Sequence, residues 1–153
     1  MAEKNTPEPG GFHTVVVSTD GTPFATRAVE TAFRLAKRDH AKLIVISVVD
    51  TSVMADFTGE SPGQLRKVER ELEFNAEEAV AKVGQLAAEW GVDAEMIIKK
   101  GRPHIEIVMV ATQAEADLIV MGKRSGHRAG SHPVGGVTQR VVEDADCAVL
   151  IVP

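Results

Sequence analysis

The stretch from residue 122 to residue 138 combines glycines, basic side chains and hydroxyls, a mixture that suits a phosphate ligand. Five of its residues are glycine, which lets a backbone approach a ligand closely. Three positive charges occur there in a chain of formal net charge -5, on Lys123, Arg124 and Arg128. Hydroxyls that can donate to phosphate oxygens come from Ser125, Ser131 and Thr138. This composition predicts a phosphate-binding loop.

The loop runs into a predicted short helix, Val137 to Glu143, through the pair Gly135 and Gly136. The first N–H groups of a helix have no intrahelical acceptor, and together with the helix dipole they attract anions. From spacing alone a second interpretation stays open, in which the stretch is a solvated surface loop that is rich in glycine.

Asp20 is a further candidate, because it follows a short β-branched run that predicts the first strand. Its carboxylate could accept a hydrogen bond from a ribose or help to hold Mg²⁺. It could equally cap the turn into the following helix through its own side chain. The residues do not decide between these two roles.

Apolar runs separated by helical periodicity position these candidates. The predicted strands are His13–Ser18, Lys42–Val49, Asp93–Lys99, Leu118–Met121 and Ala148–Val152. The predicted helices run from Pro23 to about Arg38, from Gln64 to Trp90, from His104 to about Ala114, and from Val137 to Glu143. Strands that alternate with helices pair in parallel, so we expect a three-layer, doubly wound α/β sheet of five strands.

An open parallel sheet binds ligands beyond the carboxyl ends of its strands, where the strand order reverses. If the first strand lies beside the fourth, the loops at 19–21 and 122–136 face each other. The candidate residues would then form one site.

Composition places the chain among single-domain globular proteins, with 44% hydrophobic and 25% charged residues in 153. We expect a disordered lead-in over residues 1–11 and one domain over residues 12–153. The lead-in has no apolar h-region and no segment is long enough to span a membrane, which predicts a cytoplasmic protein without a membrane partner. The acidic balance argues against a nucleic-acid partner, and Cys147 opens an apolar run that predicts a buried thiol.

The chain resembles the universal stress protein family in several segments that fall in the family's order. They are Val15–Thr22, Lys100–Pro103, Ala116–Gly122, Gly122–Thr138 and Cys147–Pro153. The resemblance implies a Rossmann-like fold, similar to the adenine nucleotide alpha hydrolases, with strand order 3-2-1-4-5. It also implies a protein of stress response or signalling.

The nucleotide-binding branch of that family carries Gly, two residues, Gly, nine residues, Gly, then Ser or Thr. On this chain the first and third glycines fall on Gly122 and Gly135, whereas the second falls on Ser125 and the hydroxyl position on Gly136. Shifting the frame by one matches Gly126 and Gly136 but places Val137 at the hydroxyl position. We expect the departures to weaken binding of ATP without removing it.

The resemblance implies a ligand, a site and an assembly. The ligand would be ATP or AMP, with Mg²⁺ accompanying ATP, and the family dimerises through its last strand, here residues 148–152. Adenine would contact Thr19, Asp20 and Val48. Ribose and phosphates would meet Met121, Gly122, Arg124, Ser125, Gly126, Gly135, Gly136, Val137 and Thr138.

Two alternatives remain open at the level of the sequence. The family's other branch consists of dimeric interaction modules that bind no nucleotide, and the residues at 125 and 136 favour it. An enzyme is less well supported, because nucleophile patterns and a Walker loop are missing, so we expect slow ATP hydrolysis at most and no catalytic residues. His127 and His132 lack a third ligand nearby, and we expect no metal site.

Overall fold

Five strands and four α-helices alternate along the chain in the computed structural model, which describes residues 10–124 and 134–153. The strands are β1 (Thr14–Ser18), β2 (Lys42–Asp50), β3 (Ala94–Gly101), β4 (Leu118–Gly122) and β5 (Ala148–Val152). The helices are α1 (Pro23–Asp39), α2 (Pro62–Trp90), α3 (Pro103–Gln113) and α4 (Gly136–Asp144). The expected disorder of residues 1–11 falls mostly on residues 1–9, which lie outside the described residues.

All five strands pair in parallel, in the order β3-β2-β1-β4-β5. The predicted doubly wound α/β sheet and its strand order are therefore confirmed. The order reverses between β1 and β4, which are direct neighbours. β3 and β5 lie at the two edges of the sheet.

The sheet is buried on both faces at its centre, where Val15, Val16 and Val17 of β1 are 0% exposed. Val15 and Val17 belong to a core cluster with α1 and α2, and Val16 belongs to a second cluster with α3 and α4. Successive side chains of a strand point to opposite faces, so one strand contributes to both clusters. This explains the continuous β-branched sequence of β1.

Helix α1 begins where the sequence predicts it, after the N-cap Thr22, whose side chain accepts from the Ala25 N–H, and with Pro23 in the first turn. Its end is tied to the segment before β1, because the Asp39 carboxylate accepts a hydrogen bond of 3.0 Å from the Phe12 N–H. Arg38 also donates to that carboxylate. These contacts hold the pKa of Asp39 down, from 3.8 to about 2, chiefly through Arg38.

Helix α2 starts two residues earlier than predicted, at Pro62, because Ser61 and Gln64 form a reciprocal capping box. The connection before it contains a 3₁₀ helix, Thr51–Phe57, which the sequence analysis did not predict. The helix ends at Trp90, near the amino edge of the sheet. There the Trp90 and Phe33 rings lie 5.6 Å apart between centroids. Across the described residues, no helix has the length and apolarity that a membrane crossing requires.

Candidate functional site

The end of β4 and the turn after β1 meet at the carboxyl edge of the sheet, where the strand order reverses. Val17 and Val120 are paired in the register, and Thr19 and Gly122 each lie two residues beyond that pair. The predicted pairing of β1 with β4 is thus present, and of the second loop the structure describes residues 122–124 and 134–136. Such a reversal point is where open parallel sheets bind their ligands.

The turn after β1 is fixed by its own side chains. Thr19 is 6% exposed, its N–H donates to the Ile46 carbonyl oxygen at 2.9 Å, and its Oγ1 accepts from the Gly21 N–H at 3.2 Å. Gly21 has φ +81°, a conformation that favours glycine. Asp20 Oδ1 accepts from the Thr22 N–H at 3.0 Å and from Thr22 Oγ1 at 2.6 Å. Asp20 therefore caps the turn, and its role toward ribose or Mg²⁺ stays a prediction.

Gly122 is a glycine because α1 packs against it. A Cβ at this position would lie 3.1 Å from both the carbonyl carbon and the carbonyl oxygen of Phe24, in the first turn of α1. Backbone atoms at that distance cannot move away as a flexible side chain does. The helix alone thus explains the first glycine of the predicted loop.

Thr138 also has an internal role. Its Oγ1 donates to the Gly122 carbonyl oxygen at 2.9 Å, and the residue is 0% exposed. This differs from the expectation that the hydroxyl donates to a phosphate, since the proton is already used within the protein. The bond instead attaches the first turn of α4 to the end of β4.

The backbone of Lys123 joins three elements. Its N–H donates to the Val152 carbonyl oxygen of β5 at 2.7 Å, and its carbonyl oxygen accepts from the Gly135 N–H at 2.9 Å. The two ends of the connection between β4 and α4 are therefore held together. The Gly135 N–H already has an acceptor. Helix geometry therefore leaves for a ligand the N–H groups of the first turn, from Gly136 onward.

Among the described residues, no atom would lie within 4 Å of a Cβ placed on Gly136. It is the first residue of α4, and its N-cap, Gly135, makes no capping bond through a side chain. A serine at position 136 would therefore fit without displacing described atoms.

The remaining predicted residues are placed as follows. Met121 is 1% exposed and belongs to the core cluster beside α3 and α4, and the partly buried Val48 packs against the same cluster. Arg124 is exposed at the end of the described segment. Ser125 and Gly126 lie outside the described residues, as do Arg128, Ser131 and both histidines of the loop, His127 and His132.

The described residues contain no group of three His, Cys, Asp or Glu side chains that could hold a metal ion. Cys147 is half-buried against the cluster beside α3 and α4. Burial raises the pKa of the Cys147 thiol to about 11, and the nearby Asp117 and Asp146 add to that shift. The thiol is therefore protonated at neutral pH and a poor nucleophile.

A sequence model of the universal stress protein family matches residues 11–153. The chain belongs to the universal stress protein family. A curated universal stress protein of Methanocaldococcus jannaschii is 34% identical over 141 residues, which cover 92% of this chain and 82% of that protein. The family resemblance drawn from the sequence is confirmed.

Two solved structures of this family share the fold. Universal stress protein UspA from Lactobacillus plantarum has a TM-score of 0.80 at 26% identity, covering 94% of this chain and 99% of its own. A universal stress protein in complex with cAMP has a TM-score of 0.71 at 26% identity, covering 94% of this chain and 98% of its own.

Sequence reasoning missed the residues that hold this universal stress protein's site together. Lys123 was selected for its charge, whereas the structure uses its backbone. Phe24 and Val152 contribute a peptide group and a carbonyl oxygen, which any residue type supplies. No sequence signal marks contacts of this kind.

Proposed function

We propose that this chain binds an adenine nucleotide, ATP or AMP, at the carboxyl edge between β1 and β4, and acts as a dimer in stress response or signalling. The observation that carries the proposal is the convergence of the β1 turn, the end of β4 and the first turn of α4 at the strand reversal. The relative in complex with cAMP supports an adenine ligand, since that complex shares the fold at 26% identity.

Adenine would lie by Thr19, Asp20 and Val48, at the carboxyl ends of β1 and β2. β2 extends four residues past Ile46, the last residue paired with β1, so Val48 stands beside the β1 turn. Thr19 would then contribute through its backbone or its hydroxyl, and Asp20 through oxygen lone pairs.

Ribose would lie along Met121 and Gly122, and the phosphates would meet α4. Helix geometry leaves the N–H groups of Gly136, Val137 and Thr138, in the first turn of α4, without intrahelical acceptors, so they would donate to the phosphates. Ser125, Gly126 and Gly135 would complete the enclosure of the phosphates. Arg124 would supply positive charge, and Mg²⁺ would accompany ATP.

Dimerisation would use β5, an edge strand with an apolar sequence. Leu150 is 38% exposed and Ala148 is exposed on the face toward α1. An unpaired edge of this kind can hydrogen-bond to a second copy of itself about a two-fold axis. A cytoplasmic location stays a prediction from the sequence.

A second function is favoured by three specific observations. Gly136 lacks the hydroxyl of the nucleotide-binding branch, the Gly135 N–H is already paired, and Thr138 Oγ1 already donates to Gly122. With fewer donors left for phosphates, the same fold could serve as a nucleotide-free dimeric interaction module. The two functions share the dimer and differ in the ligand.

Calorimetric titration of nucleotide-stripped protein with ATP, AMP and adenosine, with and without Mg²⁺, tests the proposal. We expect saturable binding of at least one nucleotide at micromolar concentration. Absence of heat and of any thermal shift with all three ligands would establish the nucleotide-free alternative.

A charge reversal locates the phosphates. Arg124→Glu should weaken binding of ATP more than binding of adenosine, because only ATP carries the charge that Arg124 meets. Arg66→Glu, on the exposed face of α2, changes the net charge equally and serves as the control. Equal losses for ATP and adenosine in Arg124→Glu would contradict phosphate contact there.

A further inference from the structure

We infer that nucleotide binding and dimerisation are energetically linked in this chain, through the hydrogen bonds of Lys123. The inference rests on the proposed function, since it connects the proposed nucleotide site to the proposed dimer edge. It adds the regulation of that site, with the second subunit acting as an effector of nucleotide affinity.

The Lys123 backbone connects the two places directly. Its N–H holds Val152, in the last position of β5, at 2.7 Å, and its carbonyl oxygen holds Gly135, the N-cap of α4, at 2.9 Å. One residue earlier, the Gly122 carbonyl oxygen accepts from Thr138 Oγ1 at 2.9 Å. Two consecutive residues therefore attach the start of α4 to the end of β4, and the second attaches β5 as well.

A second route fixes the same end of β5 from the side of α1. Arg27 Nε donates to the Pro153 carbonyl oxygen at 2.9 Å, and the Arg27 guanidinium lies 4.8 Å from the centre of the Phe24 ring. The Phe24 backbone is the group that a Cβ at Gly122 would approach to 3.1 Å. The contacts thus form a closed circuit from Gly122 through α1 to β5 and back through Lys123.

A ligand on one side of this circuit orders the other side. A phosphate that binds the first turn of α4 restrains Gly135 and Lys123, and Lys123 in turn restrains the end of β5. Pairing of β5 with its twin restrains the same atoms in the reverse direction. Whichever of nucleotide binding and dimerisation comes second then acts on a segment that is already ordered. It loses less conformational entropy, which gives positive cooperativity without a change of fold.

Thermodynamic reciprocity requires the effect of the nucleotide on the dimer dissociation constant to equal the effect of dimerisation on the nucleotide dissociation constant. If a nucleotide tightens the dimer by some factor, dimerisation tightens the nucleotide by the same factor. Linkage between two sites typically amounts to about fivefold or more. We expect AMP, the smaller ligand, to tighten the dimer by at least about fivefold.

Sedimentation equilibrium of the full chain, with and without saturating AMP, measures the first factor. AMP titration of the native chain above its dimer dissociation constant, and of the monomeric Leu150→Glu variant, measures the second. We expect both factors to exceed about five and to agree with each other. Leu150 lies on β5 and pairs with Val120, which is not among the residues proposed to touch the nucleotide.

The outcomes separate the linkage from the proposed function. One outcome is that AMP binds and the chain dimerises while the dimer dissociation constant is the same with and without AMP. In that case the linkage is overturned and the proposed function stands. If AMP and ATP both fail to bind, the proposed function and the linkage fail together. If the chain stays monomeric with AMP bound, the linkage is overturned and the nucleotide site stands.

A variant outside the nucleotide site tests the second route. Arg27→Met removes the bond to the Pro153 carbonyl oxygen and should lower the linkage factor. Arg34→Met, seven residues on along α1 and next to Trp90, is the matched control and should keep the native factor. If Arg27→Met has the same linkage factor as the native chain, the route through α1 is overturned.

Discussion

Gly122 and Gly136 lie at the start and near the end of the glycine-rich stretch, and packing constrains them differently. Gly122 lies against the backbone of Phe24, so a side chain there would crowd α1 whether or not a ligand binds. No described atom would lie within 4 Å of a Cβ at Gly136, so packing within the described residues does not exclude a side chain at that position. The sequence shows that both residues are glycines, and the structure shows that α1 crowds only the first of them.

Replacing Gly122 by alanine should therefore destabilise the fold. The added Cβ would press on backbone atoms at 3.1 Å, and overpacking of this kind costs about 1–3 kcal/mol. Urea unfolding would measure the loss. Gly136→Ala is the matched control and should change the stability little, and equal losses in both variants would contradict the packing argument.

Gly136→Ser should strengthen ATP binding. The hydroxyl fits without a clash, and a hydrogen bond to a charged group is worth about 1.5–3 kcal/mol, or roughly a tenfold to hundredfold gain in affinity. Calorimetry would compare Gly136→Ser with Gly136→Ala, which adds the Cβ alone. Equal affinities in these two variants would place the phosphates away from residue 136.

At the scale of elements, the sequence predicted each strand and α-helix of the described residues, because apolar periodicity and capping residues are local signals. The predicted start of α1 at Pro23 is correct. The 3₁₀ helix at Thr51–Phe57 was missed, since its seven residues are too few to show a helical period and none of them is buried. Its N-cap bond, from the Ser52 N–H to Asp50, is a local contact that also occurs in ordinary turns.

The attachment of α1 to the segment before β1 predicts a loss of stability in acid. The Asp39 pKa lies at about 2 when folded, below its ordinary 3.8, because Arg38 and the Phe12 N–H stabilise the carboxylate. The stabilisation is therefore complete above about pH 4 and disappears as the pH falls through about 2.

Thermal unfolding between pH 5 and about pH 2 would measure this contribution. Asp39→Asn should lower the stability at pH 5 and show a shallower decline in acid than the native chain. Identical pH profiles for the two proteins would contradict a role of the carboxylate in holding Phe12.

At the scale of the whole molecule, the strand order and the position of the candidate site came from combining parallel pairing with the family resemblance. Periodicity alone predicts an α/β sheet but not which strands are neighbours. The internal bonds of the site escaped prediction because Lys123 and Gly135 meet through peptide groups, which carry no residue-specific signal. Thr138 was identified as a hydroxyl donor, and its acceptor became visible only in the fold.

The two edge strands allow a matched test of the dimer. Leu150 on β5 and Ile98 on β3 are 38% and 41% exposed, so both can accept a charge without entering the core. Leu150→Glu should produce a monomer, whereas Ile98→Glu should leave the assembly intact, because like charges would face each other only at a β5 interface. Light scattering would measure the molar mass of both variants at the same protein concentration. Dissociation by Ile98→Glu alone would show that the interface lies at β3.

The fluorescence of Trp90 should report unfolding of the protein but not binding of a ligand at the candidate site. It is the single tryptophan of a chain without tyrosine, so essentially all of the intrinsic emission above 300 nm arises from one indole. That indole stacks near Phe33 and under Arg34, at the amino edge of the sheet, opposite the edge where the nucleotide would lie. Emission should therefore follow the separation of α1 from α2 during unfolding and stay constant when a ligand is added. A fluorescence titration that shows no change would be a statement about where the indole lies, not about whether the site is occupied.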